Sequence, residues 1–315
     1  MPPRYRCLRH FIHWHQTERP VDWNNRFGRG DPTALEIGFG NGEYLVREAL
    51  ARPDWNFIGL DIRWASVLRA LRKISEHGVG NVRVLQADAR TALERLIRPG
   101  TLRQAYALFP CPWPKEHHAK HRVFSNDFLK LLNSRMADSA QARIVTDDEN
   151  YLRWILRQTP GSGFKTLSRR IPPSFDTVYE KRWRKQGQQS FFELVLEKTD
   201  PCDASLKEDA PVQTHRVNTF DPERYAPQND HGEPTVEFKE FLYDPQRKKA
   251  MSRVMIAEEG LLQDIWIEIA KYDDGWKIRP AWGCRMVPTA GVQRALDLMF
   301  EAAGKSIAQP AKAQG

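Results

Sequence analysis

The stretch Thr33-Ala-Leu-Glu-Ile-Gly-Phe-Gly-Asn-Gly-Glu43 decides the fold. Ala34–Phe39 is a short, nearly continuous apolar run that reads as a buried strand, and Gly42–Ala51 has the amphipathic spacing of a helix. Between them, Gly38, Gly40 and Gly42 remove side chains, so the backbone can bend tightly and a ligand can approach it. The spacing is G-x-G-x-G rather than the G-x-G-x-x-G of nicotinamide binders, and Glu36 stands two places ahead of the first glycine.

Outward from this loop the alternation continues. Asn56–Ile62, Val82–Gln86, Ala105–Phe109 and Ala142–Thr146 read as further strands. Helices over Ala65–His77 and about 91–98, 124–137 and 149–158 separate them. Strands alternating with helices predict an α/β, doubly wound, mostly parallel sheet occupying residues 31–199, with Ser190–Lys198 as a closing strand at its far side. Residues 200–232 hold Pro201, Pro211, Pro222 and Pro227 among many polar residues, which reads as a linker. Glu237–Tyr243, Met251–Ala257, Ile265–Lys271 and Trp276–Arg279 then read as short antiparallel strands, and Gly291–Ala303 as a closing helix. The expected second domain, 233–303, is a small α+β unit followed by a disordered tail over 304–315.

At 315 residues the chain is long enough for about two domains. Hydrophobic residues at 41% and charged residues at 28% exclude wholesale disorder. A mean hydropathy of -0.62, without an apolar run near 18 residues, excludes a membrane-spanning helix. The basic start, Met1 to Pro20, lacks the apolar core of a secretory signal. Cys7, Cys111, Cys202 and Cys284 are scattered without C-x-x-C spacing, which argues against a disulfide framework or structural zinc and fits a reducing cytoplasm.

The net charge of +8 is unevenly placed. Residues 1–30 carry six Arg against Glu18 and Asp22, and residues 165–185 carry seven Lys/Arg against Asp176 and Glu180. Residues 232–300 come to -1. The positive charge lies beside Trp14, Trp23, Tyr179 and Trp183, a pattern suited to a polyanion or to an ordinary basic surface.

Asp61 and Asp88 end the second and third strands, so three acidic residues with Glu36 stand at successive strand ends beside the glycine loop. The set resembles a class I S-adenosylmethionine-dependent methyltransferase. That resemblance implies Glu36 toward the methionine amino group or the loop, Asp61 at the ribose and Asp88 at the adenine edge. The alternative, that Glu36 and Asp88 are ordinary strand-end polar residues, holds for either one alone.

Phe109-Pro-Cys-Pro-Trp-Pro-Lys115 follows the fourth strand and runs into Glu116-His-His-Ala-Lys-His-Arg122. Prolines fix φ and remove N–H donors, so this is a stiff platform beside the transferable methyl group. Lys115, Lys120 and Arg122 are available to phosphates, whereas His117, His118 and His121 lack the carboxylate or cysteine partners of a metal site. Thr146-Asp-Asp-Glu-Asn-Tyr151 and Thr177-Val-Tyr-Glu-Lys-Arg182 complete the pattern.

With these motifs, about residues 23–198 resemble the bacterial tRNA (guanine-N7-)-methyltransferase family, which shows E-I-G-F-G-x-G, F-P-D-P-W-x-K, T-D-x-E-x-Y and T-x-F-E-x-R. The resemblance implies a seven-stranded Rossmann-like sheet, S-adenosyl-L-methionine as cofactor and tRNA as partner, methylated at N7 of guanine 46 in the variable loop. It implies Glu36, Gly38, Gly40, Gly42, Asp61, Asp88 and Cys111 around the cofactor. Lys115, Asp147, Thr177 and Glu180 are implied at the target nucleotide, and His117, His118, Lys120, His121, Arg122 and Arg182 at the RNA. The expected protein is a cytoplasmic enzyme, monomer or homodimer, without metal or membrane.

The family's aspartate is Cys111 here. N7 of guanine carries a lone pair and no proton, so methyl transfer needs alignment and relief of positive charge rather than a base. Two further readings follow from this position: a tRNA-binding homologue that methylates weakly, or a cytosine-C5 methyltransferase using Cys111 as nucleophile. In the second domain, Trp266, Trp276 and Trp282 are candidates for a stacking face or for core. The domain reads as a tRNA-positioning or self-association module.

Overall fold

The computed structural model describes residues 8–258 and 260–308. They form two compact units, divided between Lys207 and Glu208.

The first unit is built on β1 (Thr33–Ile37), β2 (Asn56–Asp61), β3 (Val82–Gln86), β4 (Leu102–Leu108), β5 (Met136–Thr146), β6 (Phe164–Ile171) and β7 (Phe191–Lys198). Their order is β3-β2-β1-β4-β5-β7-β6; β1 to β5 run parallel, and β7 runs antiparallel to both β5 and β6. The parallel centre is covered on both faces, so every residue of β1 and β2 is buried. Ser190–Lys198 was expected at the far side of the sheet. Instead, β7 lies inside it, and the edge is β6, which the sequence reading omitted.

The helices are α1 (Trp23–Phe27), α2 (Glu43–Ala51), α3 (Trp64–Glu76), α4 (Ala89–Arg95), α5 (Asn126–Arg135), α6 (Glu149–Gln158) and α7 (Val178–Lys185). Amphipathic spacing explains α3: Val67, Ala70, Leu71 and Ile74 are fully buried along one stripe. The core joins these residues to Phe57, Val84, Phe109, Phe175 and Phe191.

The basic N-terminal segment is partly structural. Phe11 bridges to Val84, Ile12 N donates to Val84 O at 3.0 Å, and the Trp14 indole donates to Gln86 O at 2.8 Å. Residues 1–7 lie outside the described set.

The second unit holds β8 (His215–Val217), β9 (Thr235–Asp244), β10 (Lys249–Glu258), β11 (Leu261–Tyr272), β12 (Gly275–Pro280) and α8 (Ala290–Ala308). The antiparallel order is β8-β12-β11-β10-β9. Burial alternates along β10, and its inward residues Val254 and Ile256 pack with Ile265, Ile278, Val292 and Met299 of this unit's own core. The stretch 200–232, expected as a linker, is not free: residues up to Lys207 belong to the first unit, β8 pairs with β12, and Phe220 and Tyr225 are buried. The tail expected from 304 begins as helix, with α8 running through 308; residues 309–315 lie outside the described set.

Candidate active site

The sheet order reverses direction between β1 and β4, and at such a switch point the carboxyl ends of parallel strands open a crevice. Glu36 sits one residue from the end of β1, between Gly59 of β2 and Tyr106 of β4. It is buried, and its Oε2 has no hydrogen-bond partner. Burial first, then the charge of Glu48, pushes its carboxyl up to about 8, so at neutral pH it keeps its proton.

The loop after β1 bends through positive φ at each glycine: 74° at Gly38, 57° at Gly40 and 71° at Gly42. Gly42 is also a close approach, because a Cβ there would stand 2.8 Å from the Ala70 Cβ and 3.0 Å from its Cα. Asp61 fixes the loop from the end of β2. Its buried carboxylate accepts from Gly40 N at 3.0 Å and from Arg63 N at 2.8 Å. Asp88 is exposed and caps α4, with Oδ1 accepting from Arg90 N at 2.9 Å and Thr91 N at 3.2 Å. Its ordinary helix-cap role is therefore present, and Oδ2 takes neither of these bonds.

The proline-tryptophan segment leaves β4 under strain. Phe109 and Trp113 have φ of 54° and 44°, a region costing about 1–3 kcal/mol per non-glycine residue. Phe109 is pinned by N donating to Val145 O at 2.7 Å. Arg122 braces the segment from behind, donating from Nε to Pro112 O at 2.9 Å and from Nη2 to Trp113 O at 2.9 Å, with its guanidinium 5.0 Å from the Trp154 ring centroid. It was expected at the RNA backbone; here it holds the ledge. Trp113 meets the rings of His118 and His121 at 5.6 and 5.1 Å. Cys111, Lys115, His117, Lys120 and His121 are exposed on the ledge, and His118 is half-buried.

A fourth element covers the glycine loop. α7 is capped by Thr177, whose Oγ1 accepts from Glu180 N at 3.2 Å. Its first amide, Val178 N, donates to Glu43 Oε2 at 3.0 Å, and Arg47 donates to Phe175 O at 2.6 Å just before it. The edge of the Tyr179 ring approaches Gly40, and Arg63 shares the cavity wall with it. Glu180 is buried with neither carboxylate oxygen partnered. Asp147 is half-buried, and burial with neighbouring Asp148 pushes its carboxyl up. Asp148 itself caps α6 through Tyr151 N at 2.9 Å.

A cavity of about 200 Å³ lies between α7 and the glycine loop. It brings together Glu36, Gly38, Gly40, Thr177 and Arg182. Gly42, Asp61, Asp88, Cys111, Lys115, Asp147, Glu180 and the His117–Arg122 run do not line it. Its walls add Tyr179, which lies inside the Thr177–Arg182 motif expected at the target nucleotide, and Tyr44, Arg63 and Arg69, which the sequence reading missed. Tyr44, Arg63 and Arg69 carried no motif signal.

Three comparisons bear on this site. A family model described as "Putative methyltransferase" matches residues 30–193. The tRNA (guanine-N(7)-)-methyltransferase of Thermus thermophilus is 32% identical over 305 residues, covering 92% of this chain and 96% of that protein. The protein of the same name from Chlorobium phaeobacteroides is 40% identical over 164 residues, 52% of this chain and 80% of that one. Among solved structures, an antibiotic-related methyltransferase aligns over 59% of this chain and 98% of its own, with 18% identity and a TM-score of 0.46. The match in sequence along nearly the whole chain, with the loop, ledge and capping helix in place, makes this protein a member of the tRNA (guanine-N7-)-methyltransferase family.

Proposed function

We propose that the protein is a cytoplasmic enzyme that transfers a methyl group from S-adenosyl-L-methionine to N7 of guanine 46 in the variable loop of tRNA. The observation that carries this reading is the buried, unpartnered Glu36 oxygen at the wall of a cavity roofed by α7 and floored by the glycine loop. These residues fit S-adenosylmethionine: a buried carboxyl without a partner suits an ammonium group, which would draw the proton off Glu36. The carboxylate of Asp61 retains acceptor capacity beyond its two backbone amides, enough for sugar hydroxyls. When bound, the cofactor supplies an activated methyl on a sulfonium sulfur.

The chain's own part is positional. The strained ledge is braced within the chain by Arg122, so little ordering remains to be done when a base arrives. Asp147 and Glu180 supply carboxylates for the guanine and for positive charge growing on its imidazole ring. Thr177 and Lys115 complete the nucleotide contacts, while His117, His118, Lys120, His121 and Arg182 serve the RNA backbone. Cys111 supplies no fixed charge where the family has aspartate, which favours slow turnover over loss of the site. In this reading the protein acts as a monomer or homodimer.

Nucleoside mass analysis of unmodified tRNA, incubated with the protein and S-adenosylmethionine, tests the proposal. N7-methylguanosine is expected, and mass mapping of oligonucleotide fragments of the same tRNA should place it at position 46. No product would leave a binding protein only, and 5-methylcytidine would make Cys111 a nucleophile; either overturns the reading.

A further inference from the structure

Methyl transfer leaves one feature of the second unit unused. Of the three tryptophans read as core or stacking face, Trp276 is buried and Trp266 half-buried, but Trp282 is 80% exposed. The next most exposed described tryptophans, Trp64 and Trp113, reach only 36%. An indole left in water forgoes roughly 2–3 kcal/mol of burial energy.

The ring does not stand on a loose loop. Ala281 N donates to Trp266 O at 2.9 Å, and Cys284 N closes a turn on Ala281 O at 3.2 Å. Further on, Val287 N donates to Gln263 Oε1 at 2.8 Å, and Gln263 Nε2 returns to Val287 O at 3.0 Å. Arg279 covers one face of the ring, with its guanidinium carbon 4.4 Å from the centroid. That guanidinium is anchored in turn: Nη2 lies 2.5 Å from Oε1 of buried Glu268, whose Oε2 lies 2.5 Å from Lys249 Nζ. One carboxylate faces two cations, so the cluster keeps net positive charge. From Gly275 to Val287 the chain carries Lys277, Arg279 and Arg285 and no acidic residue, although residues 232–300 together come to -1.

We propose that Trp282, backed by Arg279, is a stacking platform for an unpaired base of the tRNA; this rests on the tRNA reading of the first unit. A rigid indole with a cation on one face leaves its other face for a base, and such stacking is tolerant of base identity. The adjacent cations suit the flanking phosphates. A peptide would ask for an apolar surround, and Trp282 is the only large hydrophobic residue from Lys277 to Arg285 that is strongly exposed.

The test compares full-length wild type, Trp282→Ala and Trp282→Phe for tRNA affinity, cofactor affinity, kcat at saturating tRNA and oligomeric state. Trp282→Ala should weaken tRNA binding about 5- to 100-fold with the salt dependence unchanged, and Trp282→Phe should recover most of it. Cofactor affinity and kcat should match wild type. Binding of tRNA by Trp282→Ala within twofold of wild type overturns the platform alone. A change of oligomeric state in Trp282→Ala assigns the ring to self-association and also overturns it. Failure of wild type itself to bind tRNA removes the tRNA reading and the platform together.

Discussion

Glu36 is the residue whose titration the fold alters most legibly. Its carboxyl titrates near 8 when folded, against an ordinary 4.5. Between those values the folded chain holds a proton on Glu36 that the unfolded chain has released, so this group's contribution to stability is greatest below about pH 4.5 and is lost as pH rises toward 8. Glu36→Gln should flatten that fall, and urea midpoints at about pH 5 and about pH 8 measure it; an unchanged slope would contradict the assignment. Cys111 is exposed at the ledge, at the position where the sequence resemblance implies an aspartate. A restored carboxylate should lower the barrier by roughly 2–4 kcal/mol, so Cys111→Asp should speed single-turnover methylation of tRNA by about 30- to 900-fold. No gain would mean that Asp147 or Glu180 already does this work.

At the scale of elements, the loop between β1 and α2 is fixed by contact as well as by conformation. Gly38→Ala meets open space, so only its positive φ is penalised, by about 1 kcal/mol. Gly42→Ala drives a methyl into the α3 backbone at Ala70 and should cost about 3 kcal/mol or more. Comparing the two variants by chemical denaturation separates these causes. The same elements explain what the sequence disclosed. β1 to β5 were legible because buried parallel strands are short apolar runs bounded by turns, and the glycine loop because its spacing is itself the structure. β6 was not, because an edge strand bearing Lys165, Arg169 and Arg170 has no buried face to write an alternation. β8 is three residues whose pairing with β12 is entirely non-local. In the site, Arg63 and Arg69 were missed for the same reason: nothing near them in sequence states that the cavity closes over them.

For the whole molecule, charge sets the terms of association. A net +8, with the basic residues concentrated in the first unit, should make tRNA binding a matter of counterion release. With about four phosphates neutralised, doubling the salt should lower affinity about tenfold, and a log–log plot of binding constant against salt gives the number directly. A flat plot would argue for recognition by shape alone.

Arg135 has a consequence for the two-unit chain. Fully buried, it donates to Leu93 O at 2.6 Å, Ala204 O at 2.6 Å and Ser205 O at 3.1 Å, and Lys207 N adds a bond to Glu94 O at 2.9 Å. The strand leaving the sheet is thus knotted to the body before the next unit starts. A tug on the far half stops at this cleat and does not peel β7 out of its ladder.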